Sequence, residues 1–330
     1  MNILFVSSGN SESFDISPII KSQGESLRDA GFNVDYFTIT EKRVLGYLKN
    51  ARRLRKCMKD KHYDIIHTHY TLSGWTAVLA FPKQPIVLSL MGTDAYGEYV
   101  GVNRKNIFKS YLTLLTYFIQ PFVDTIVSKS KTIECYVYKK KRSYVLPNGV
   151  PLEKIKCYDK GYKDELNLIE DSRHVLFLGN RSNKRKNYKL LKEAFDKINI
   201  PNVKLITPYP ITHEQVIKYL NSVDVLVVPS LQEGSPNLIK EAMACNCPVV
   251  ATNVGDVEWL FGNEPGYYIA DFDPHDMADK IKQAINYSEH RGRTNGRGRI
   301  VELGLDTRTV ANKLINIYQM TLNGTATGHL

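Results

Sequence analysis

Two glutamates, Glu233 and Glu241, stand eight positions apart around a Gly-Ser-Pro loop. An apolar run at residues 225–228 precedes the loop and is typical of a buried parallel strand. A helix should follow, with Ser235 as its N-cap and Pro236 near its first position, where a missing N–H has no cost. The sequence therefore predicts a strand, a loop and a helix that together carry both carboxylates.

The start of this helix is a candidate anion site. The first N–H groups of a helix have no intrahelical partner and lie at the positive end of its dipole, so the peptide groups around Ser235, Asn237 and Leu238 should bind a phosphate. Glu241 lies one turn beyond Asn237, where its carboxylate can accept hydrogen bonds from ribose hydroxyls. Glu233 suits a second polyol such as a hexose. In the alternative interpretation, both glutamates are only favourable charges near a helix start.

A cluster of basic and amide side chains forms a second candidate site at residues 179–187. Ligands of open α/β sheets bind outside the carboxyl ends of the strands. Because the cluster follows an apolar run, Gly179, Arg181 and Lys186 are candidates to bind a diphosphate. The alternative is a solvated basic loop before a helix.

Short apolar runs alternate with longer helix-like stretches along the chain, which predicts an α/β fold of two doubly wound parallel sheets. The 330 residues, 43% of them hydrophobic, can bury two cores. The domain break should follow residue 150, where a polar stretch without strands begins. The predicted strands lie near residues 3–7, 34–37, 65–68, 86–89, 125–128 and 144–146, and then near 175–178, 203–207, 225–228, 249–252 and 267–270.

Cysteine usage and the N-terminus indicate a cytoplasmic protein. The five cysteines have no metal or redox spacing, and Cys245 and Cys247 are expected to pack beside a helix end. The first apolar run is short and lacks a basic flank, so we expect a strand and not a signal peptide. No segment is apolar enough to predict a membrane span.

The positive charge is concentrated in the first domain. The formal net charge is +10, and residues 42–61 contain nine lysines and arginines. A basic amphipathic helix is predicted there that would bind an anionic membrane surface. In the alternative, the apolar side of the helix packs into its own core. Nucleic-acid binding is disfavoured because no recognition motif appears. The basic residues are Lys42, Arg43, Lys49, Arg52, Arg53, Arg55, Lys56, Lys59 and Lys61, and the interleaved apolar residues are Leu45, Tyr47, Leu48, Leu54 and Met58.

The segment from Glu233 to Asp256 closely resembles the E-x7-E donor motif of the family 4 glycosyltransferases, which have the GT-B fold. Other segments resemble the family in the same order: residues 64–69, 91–94, 147–150 and 175–179, the last followed by Arg181 and Lys186. The resemblance covers nearly the whole chain. It implies two Rossmann-like domains that face each other across a cleft, with residues 1–150 for the acceptor and 151–308 for a nucleotide-sugar donor. A final helix near 309–322 would pack on the first domain.

The resemblance also implies roles for individual residues. Arg181 and Lys186 would neutralise the leaving diphosphate, and Glu233 would complete the catalytic group. Many relatives have paired glycines where this chain has Gly9 and Asn10, and Asn tolerates the left-handed conformation that a glycine would supply. Met91 stands where many relatives have histidine. The implied donor-binding residues are Ser235, Pro236, Asn237, Leu238, Glu241 and Gly179, and the acceptor-side residues are Gly9, Asn10, His69 and Asp94. His69 and Asp94 have structural alternatives, Asp94 as the cap of a turn.

The implied activity is transfer of a hexose-type sugar, with retention of configuration, from a nucleotide-diphosphate sugar to a glycan or lipid-linked acceptor in bacterial polysaccharide or glycolipid biosynthesis. We expect no cofactor and no metal, because the acidic pair Asp271 and Asp273 is better explained by a helix cap. The alternative is a non-hydrolysing sugar-nucleotide epimerase of the same architecture. A glycosidase pair is disfavoured, because Glu233 and Glu241 share one loop–helix unit. The expected location is the cytoplasm, peripheral on the inner face of the plasma membrane.

Overall fold

The computed structural model describes residues 1–10, 15–41, 44–97, 111–158 and 161–324. The chain divides into two compact units. Unit 1 contains Met1–Gly149 together with the C-terminal segment from Thr307, and unit 2 is Val150–Asp306. No helix in these described ranges is long and apolar enough to cross a membrane.

Unit 1 is built on a six-stranded sheet with the strand order β2-β1-β3-β4-β5-β6, and all its strand pairs are parallel. Strands β3, β4 and β5 are buried along their whole length, as expected for a parallel sheet that is covered on both faces. The strands are β1 (Asn2–Ser8), β2 (Asn33–Ile39), β3 (Ile65–His69), β4 (Ile86–Leu90), β5 (Thr125–Ser128) and β6 (Ser143–Val145).

Helices cover both faces of this sheet. Successive side chains of a strand point to opposite faces, so Phe5 of β1 packs under one helix layer and Leu4 under the other. The first layer contains α1 (Pro18–Asp29) and the C-terminal helix α13 (Thr307–Leu322). The second contains α2 (Val44–Asp60), α3 (Thr71–Leu79), α5 (Tyr111–Ile119) and α6 (Lys131–Glu134), and the short α4 (Thr93–Tyr96) follows β4.

Unit 2 has a five-stranded parallel sheet with the order β11-β10-β9-β7-β8. Its strands are β7 (Arg173–Leu176), β8 (Val203–Ile206), β9 (Val225–Val228), β10 (Val249–Thr252) and β11 (Tyr267–Ala270). One face packs against α8 (His213–Ser222), α9 (Asn237–Ala244), α10 (Val257–Phe261) and α12 (Gly296–Glu302), and the other against α7 (Tyr188–Phe195) and α11 (Pro274–Arg291). All eleven predicted strands are present, and the predicted pair of doubly wound α/β sheets is confirmed.

Two arginines hold the C-terminal end of α9, the helix that carries Glu241. Arg297 donates to the Ala244 carbonyl at 3.1 Å, and Arg293 donates to the Cys245 carbonyl at 2.9 Å. The last carbonyls of a helix lack intrahelical donors, and cations are favourable at this end of the dipole. Both arginines also donate to backbone carbonyls outside α9, so they fix the helix in the unit.

Two local predictions are also settled by the packing. Cys245 and Cys247 are buried at the end of α9 and free, as expected for packing residues. Asp273 is the N-cap of α11, where its side chain accepts from the backbone N–H groups of His275 and Asp276. The cap interpretation of the Asp271-Phe272-Asp273 segment is therefore confirmed for Asp273.

Candidate active site

The loop between β9 and α9, residues 229–236, ends one residue later than predicted. Helix α9 begins at Asn237 with Pro236 as its N-cap, and no side chain caps it. The prediction that Ser235 is the N-cap is therefore wrong. Its hydroxyl is buried and lies beside Asp256 instead, where it lowers the pKa of that carboxyl group.

The corrected cap leaves the start of α9 open to an anion. A proline N-cap has neither an N–H group nor a side-chain acceptor. The N–H groups of Asn237, Leu238 and Ile239 have no acceptor within the helix, as at the start of any helix, and here no side chain caps them and the first turn has no acidic residue. These groups lie at the positive end of the helix dipole, just beyond the carboxyl end of β9.

Glu233 is the centre of a network that joins this loop to the basic cluster. Its Oε1 accepts from the Lys186 ammonium group at 2.6 Å and from the Ser230 hydroxyl at 3.0 Å. The Arg185 guanidinium lies 3.7 Å from its Oε2, and the backbone N–H of Leu231 donates to the Arg185 carbonyl at 2.8 Å. With its side chain only 11% exposed, Glu233 fixes the lysine in place.

The other members of the basic cluster are arranged more loosely. Arg181 is exposed, and its guanidinium lies over the Tyr188 ring, 5.9 Å from the centroid. Gly179 lies beside the Lys186 side chain, where an added Cβ would meet only ordinary contacts, the nearest at 3.5 Å. The structure therefore brings Lys186 and Glu233 together, whereas Arg181 is a cation at the surface of the same loop.

Glu241 has a partner that sequence reasoning missed. Its Oε1 lies 3.0 Å from Nε2 of His213, the first residue of α8. The hydrogen bond to Glu241 raises the pKa of His213, although partial burial acts in the opposite direction. The available signal was the position of His213 at the start of a helix after β8, at the carboxyl edge of the sheet, which is where ligands of such folds bind.

A buried pair of charges beneath the loop was also missed. Lys240 is fully buried in α9, and this burial lowers its pKa to about 8. The charge of Asp256 acts in the opposite direction. Burial raises the pKa of Asp256 to about 6, and the Lys240 charge acts in the opposite direction. The signal in the sequence was a lysine between the apolar residues Ile239 and Ala242.

The segment that carries Asp256 also touches the loop through its backbone. Gly255 has φ +67°, and an added Cβ would lie 2.2 Å from the Gly234 carbonyl oxygen. The Thr252 hydroxyl donates to the Ser230 carbonyl at 2.5 Å. The loop 229–236 is thus held from below by β10 and the residues that follow it.

In unit 1, Gly9 and Asn10 follow β1 as predicted. Gly9 is required by packing, because an added Cβ would lie 2.9 Å from Cβ of Thr38. Asn10 does not have a positive φ, so its backbone does not use the left-handed conformation that asparagine tolerates. Its side-chain amide donates instead to the Glu41 carbonyl at 3.3 Å.

His69 lies in a buried cluster at the carboxyl end of β3. Its ring packs 4.3 Å from that of His67 and 4.7 Å from that of Phe5. His67 exchanges hydrogen bonds with the Tyr318 hydroxyl at 2.6 Å and the Ser89 hydroxyl at 2.8 Å. Burial, followed by the nearby charge of Lys129, lowers the pKa of His69 well below its usual value.

The buried histidines predict that acid destabilises unit 1. An unfolded histidine takes up a proton below about pH 6.5, whereas these two rings stay neutral in the folded protein. The unfolded state therefore binds more protons, and the free energy of unfolding decreases as the pH is lowered. Each ring contributes up to about 1.4 kcal/mol per pH unit there. Between about pH 7.5 and pH 5.5, the free energy of unfolding of the His69→Leu variant should decrease by about 1 kcal/mol less than that of the wild type. Urea unfolding at the two pH values measures both decreases. Equal losses in both proteins would contradict a neutral His69.

Asp94 is fully buried and caps a turn. Its Oδ1 accepts from the backbone N–H groups of Met91 at 3.0 Å and Gly92 at 2.8 Å, and its Oδ2 accepts from the N–H of Thr71 at 3.1 Å. Burial raises the pKa of Asp94 to about 6, against the effect of these hydrogen bonds. The turn-cap interpretation accounts for these contacts, and a role towards an acceptor stays a prediction.

Helix α2 carries six of the nine predicted basic residues, but its apolar side is not available to a membrane. Leu54 is fully buried, and Tyr47 and Met58 pack against the same core. Leu48 alone of the described apolar residues in the predicted stripe is exposed, at 45%. The structure therefore supports the alternative in which the apolar side covers the sheet. Lys42, Arg43 and the side chain of Leu45 lie outside the described residues.

Two family models match the chain. The one described as Glycosyltransferase Family 4 matches residues 20–154, and the one described as Glycosyl transferases group 1 matches residues 174–287. The second range contains the loop 229–236, α9 and the basic cluster. The chain is a glycosyltransferase with a family 4 domain followed by a group 1 domain.

Relatives of this glycosyltransferase are themselves named as sugar transferases. An uncharacterised glycosyltransferase of Methanocaldococcus jannaschii is 28% identical over 76% of this chain and 73% of its own length. A putative teichuronic acid biosynthesis glycosyltransferase of Bacillus subtilis is 28% identical over 73% of this chain and 65% of its own. The UDP-Gal:α-D-GlcNAc-diphosphoundecaprenol α-1,3-galactosyltransferase of Escherichia coli is 26% identical over 77% and 75%, respectively.

Solved structures share the fold of this glycosyltransferase. Sucrose-phosphate synthase from Thermosynechococcus elongatus has a TM-score of 0.79 at 20% identity and covers 98% of this chain and 100% of its own. Anabaena HepE in complex with UDP-glucose has a TM-score of 0.74 at 14% identity, over 97% of this chain and 99% of its own. The predicted GT-B fold of two Rossmann-like domains is confirmed.

Proposed function

We propose that this glycosyltransferase transfers a hexose-type sugar from a nucleoside-diphosphate sugar to a glycan or lipid-linked acceptor, with retention of configuration. The observation that carries the proposal is the open start of α9 between two carboxylates, with Lys186 bound to one of them. An anion site between two groups that accept hydrogen bonds from sugar hydroxyls suits a nucleotide sugar.

Each group of the site has one task in this proposal. The N–H groups of Asn237 and Leu238 bind the diphosphate, and Glu241 accepts hydrogen bonds from the ribose hydroxyls. Glu233 binds the transferred sugar and holds Lys186. Lys186 and the exposed Arg181 meet the charge of the diphosphate, so the proposal assigns no metal ion and no cofactor. No described group of three or more His, Cys, Asp or Glu side chains is placed to hold a metal ion.

The reaction step is a displacement on one face of the sugar. The bond from the anomeric carbon to the diphosphate oxygen breaks, and the acceptor oxygen attacks the cationic sugar from the same side. The acceptor proton passes to the leaving diphosphate. Negative charge grows on the diphosphate as this bond breaks, and Lys186 and the helix N-terminus stabilise that charge most strongly in the transition state.

Similar proteins support the choice of substrates. The E. coli relative is named for a UDP-galactose donor and a diphosphoundecaprenol acceptor, and the B. subtilis relative is named for teichuronic acid biosynthesis. HepE was solved with UDP-glucose. We therefore propose a role in bacterial polysaccharide or glycolipid biosynthesis, in the cytoplasm at the inner face of the plasma membrane. Five free cysteines fit a reducing compartment.

Donor binding is tested by thermal shift with UDP, GDP, ADP and their sugar conjugates. A ligand that binds only the folded state raises the melting temperature, and we expect one nucleotide series to do so selectively. Hydrogen bonds to a charged group contribute about 1.5–3 kcal/mol, so the Glu241→Ala variant should bind the donor about 10- to 100-fold more weakly. The control is Glu193→Ala, which removes an exposed carboxylate of α7. Unchanged donor affinity in Glu241→Ala would contradict the ribose assignment.

A further inference from the structure

An apolar strip lies on the outer surface of unit 1. Tyr111, Leu114, Phe118 and Phe122, which we call the α5 strip, are 67%, 39%, 66% and 58% exposed. Their spacing of three or four residues places them on one side of α5 and the 3₁₀ turn that follows it. Residues 111–123 contain no charged side chain. A helix surface that faces only water is normally polar, so this face has the composition of a binding surface.

The strip rests on a firmly packed base. The opposite side of α5 is buried, with Leu112, Thr116 and Ile119 in the interior of unit 1. The Trp75 indole N–H of α3 donates to the Leu115 carbonyl at 3.2 Å, and its ring lies 5.8 Å from that of Phe122. The aromatic side chains are therefore presented outwards by a helix that is anchored to its neighbour.

Basic side chains flank the strip on both sides. Helix α5 belongs to the same helix layer as α2 and α6, and α3 contacts both α2 and α5. On the α2 side, Arg52, Arg55, Lys56 and Lys59 are exposed. On the α6 side, Lys131 is exposed, and the 3₁₀ turn Lys140–Arg142 that follows α6 contains only basic residues and none that is buried. Arg142 lies 3.9 Å from Asp124, so the free positive charge on this side comes mainly from the lysines. The layer thus carries an uncharged aromatic centre between two positively charged margins.

We propose that unit 1 binds an anionic lipid membrane through the α5 strip, with the basic residues of α2 and of the Lys140–Arg142 turn contacting the lipid headgroups. Aromatic side chains favour the boundary between headgroups and acyl chains, and lysines and arginines are attracted to anionic lipid. The apolar contact then comes from α5, because the apolar side of α2 is used by the core.

Charge favours a membrane over a second copy of the chain as the occupant. The net charge is +10, and both margins of the strip are basic. Two copies that met through this face would bring like charges together, whereas an anionic surface neutralises them. The proposal does not depend on the proposed sugar transfer, because vesicle binding requires neither donor nor acceptor.

The test is flotation of the full-length protein with vesicles of phosphatidylcholine, with and without phosphatidylglycerol. We expect binding to the anionic vesicles, at least tenfold weaker binding to the neutral ones, and weakening with salt. The double variant Phe118→Ser, Phe122→Ser should bind anionic vesicles at least tenfold more weakly at an unchanged melting temperature. Phe272→Ser, which removes a 46% exposed phenylalanine of unit 2, is the matched control and should bind like the wild type.

Tryptophan fluorescence reports the location of the contact. The chain has two tryptophans, so Trp259→Phe leaves Trp75, beside Phe122, as the only one. Its emission should shift to the blue on addition of anionic vesicles. Absence of vesicle binding, or binding that survives the double variant, would overturn the proposal. So would self-association that the double variant abolishes in the absence of vesicles, because the strip would then be an interface between copies.

Discussion

Replacement of Lys186 by alanine should lower kcat of sugar transfer by about 100- to 1000-fold, the usual effect of removing one group that stabilises transition-state charge. Donor affinity should change by less than about tenfold. The additional negative charge that Lys186 stabilises appears on the diphosphate only as the bond to the sugar breaks, and is absent from the bound donor. The measurement is kcat from steady-state kinetics together with the donor Kd from calorimetry.

The 3₁₀ turn that contains Lys186 offers a matched control. Lys184→Ala removes an exposed lysine two residues away and should leave kcat within about twofold. Lys186→Arg keeps the charge and should recover part of the activity. A Lys186→Ala variant that loses donor affinity and kcat/KM equally, with kcat unchanged, would mean that the lysine acts only in binding.

Breaking the buried pair of Lys240 and Asp256 should have the largest effect on stability. Each of these charges favours the ionised form of the other in a buried environment, and breaking such an interaction costs about 3–5 kcal/mol. We therefore expect Asp256→Leu and Lys240→Met each to lower the free energy of unfolding by that amount. The double variant should be several kcal/mol more stable than the sum of the single losses predicts, because apolar residues often replace a buried ion pair without penalty.

The unfolding of unit 2 can be followed by itself. Trp259 lies in α10 of unit 2, so urea unfolding in a Trp75→Phe background reports this unit through fluorescence. Losses below about 1 kcal/mol in both single variants, or additive losses in the double variant, would show that the two charges do not depend on each other.

The sequence was sufficient for the elements whose formation depends on local pattern. The run Val225–Val228 is apolar at every position, as expected for a strand that is buried on both faces. All eleven predicted strands formed. The position of Glu233, Glu241 and the start of α9 followed from the loop chemistry between them. The helix boundary was misplaced by one residue: the Ser235 hydroxyl does not cap α9 but is buried beside Asp256, 21 positions along the chain.

Features that depend on distant partners were not predictable in the same way. Lysine is usually a surface residue, but Lys240 is fully buried, where it is affected by the charge of Asp256 from the segment that follows the neighbouring strand β10. His213 meets Glu241 because α8 and α9 cover the same face of the sheet. For α2, the amphipathic pattern was read correctly, but a single sequence does not tell whether an apolar side meets a membrane or the protein's own sheet.

The proposed reaction is tested most directly by proton NMR of the purified enzyme with the nucleotide sugar selected by thermal shift and a panel of synthetic lipid-linked sugar diphosphates as acceptors. We predict that one nucleoside diphosphate is released for each new glycosidic bond, that the anomeric configuration of the sugar is retained, and that Lys186→Ala abolishes nearly all of the release. Conversion of the nucleotide sugar into an epimer without consumption of the acceptor, or a product of inverted configuration, would contradict the proposed retaining transfer.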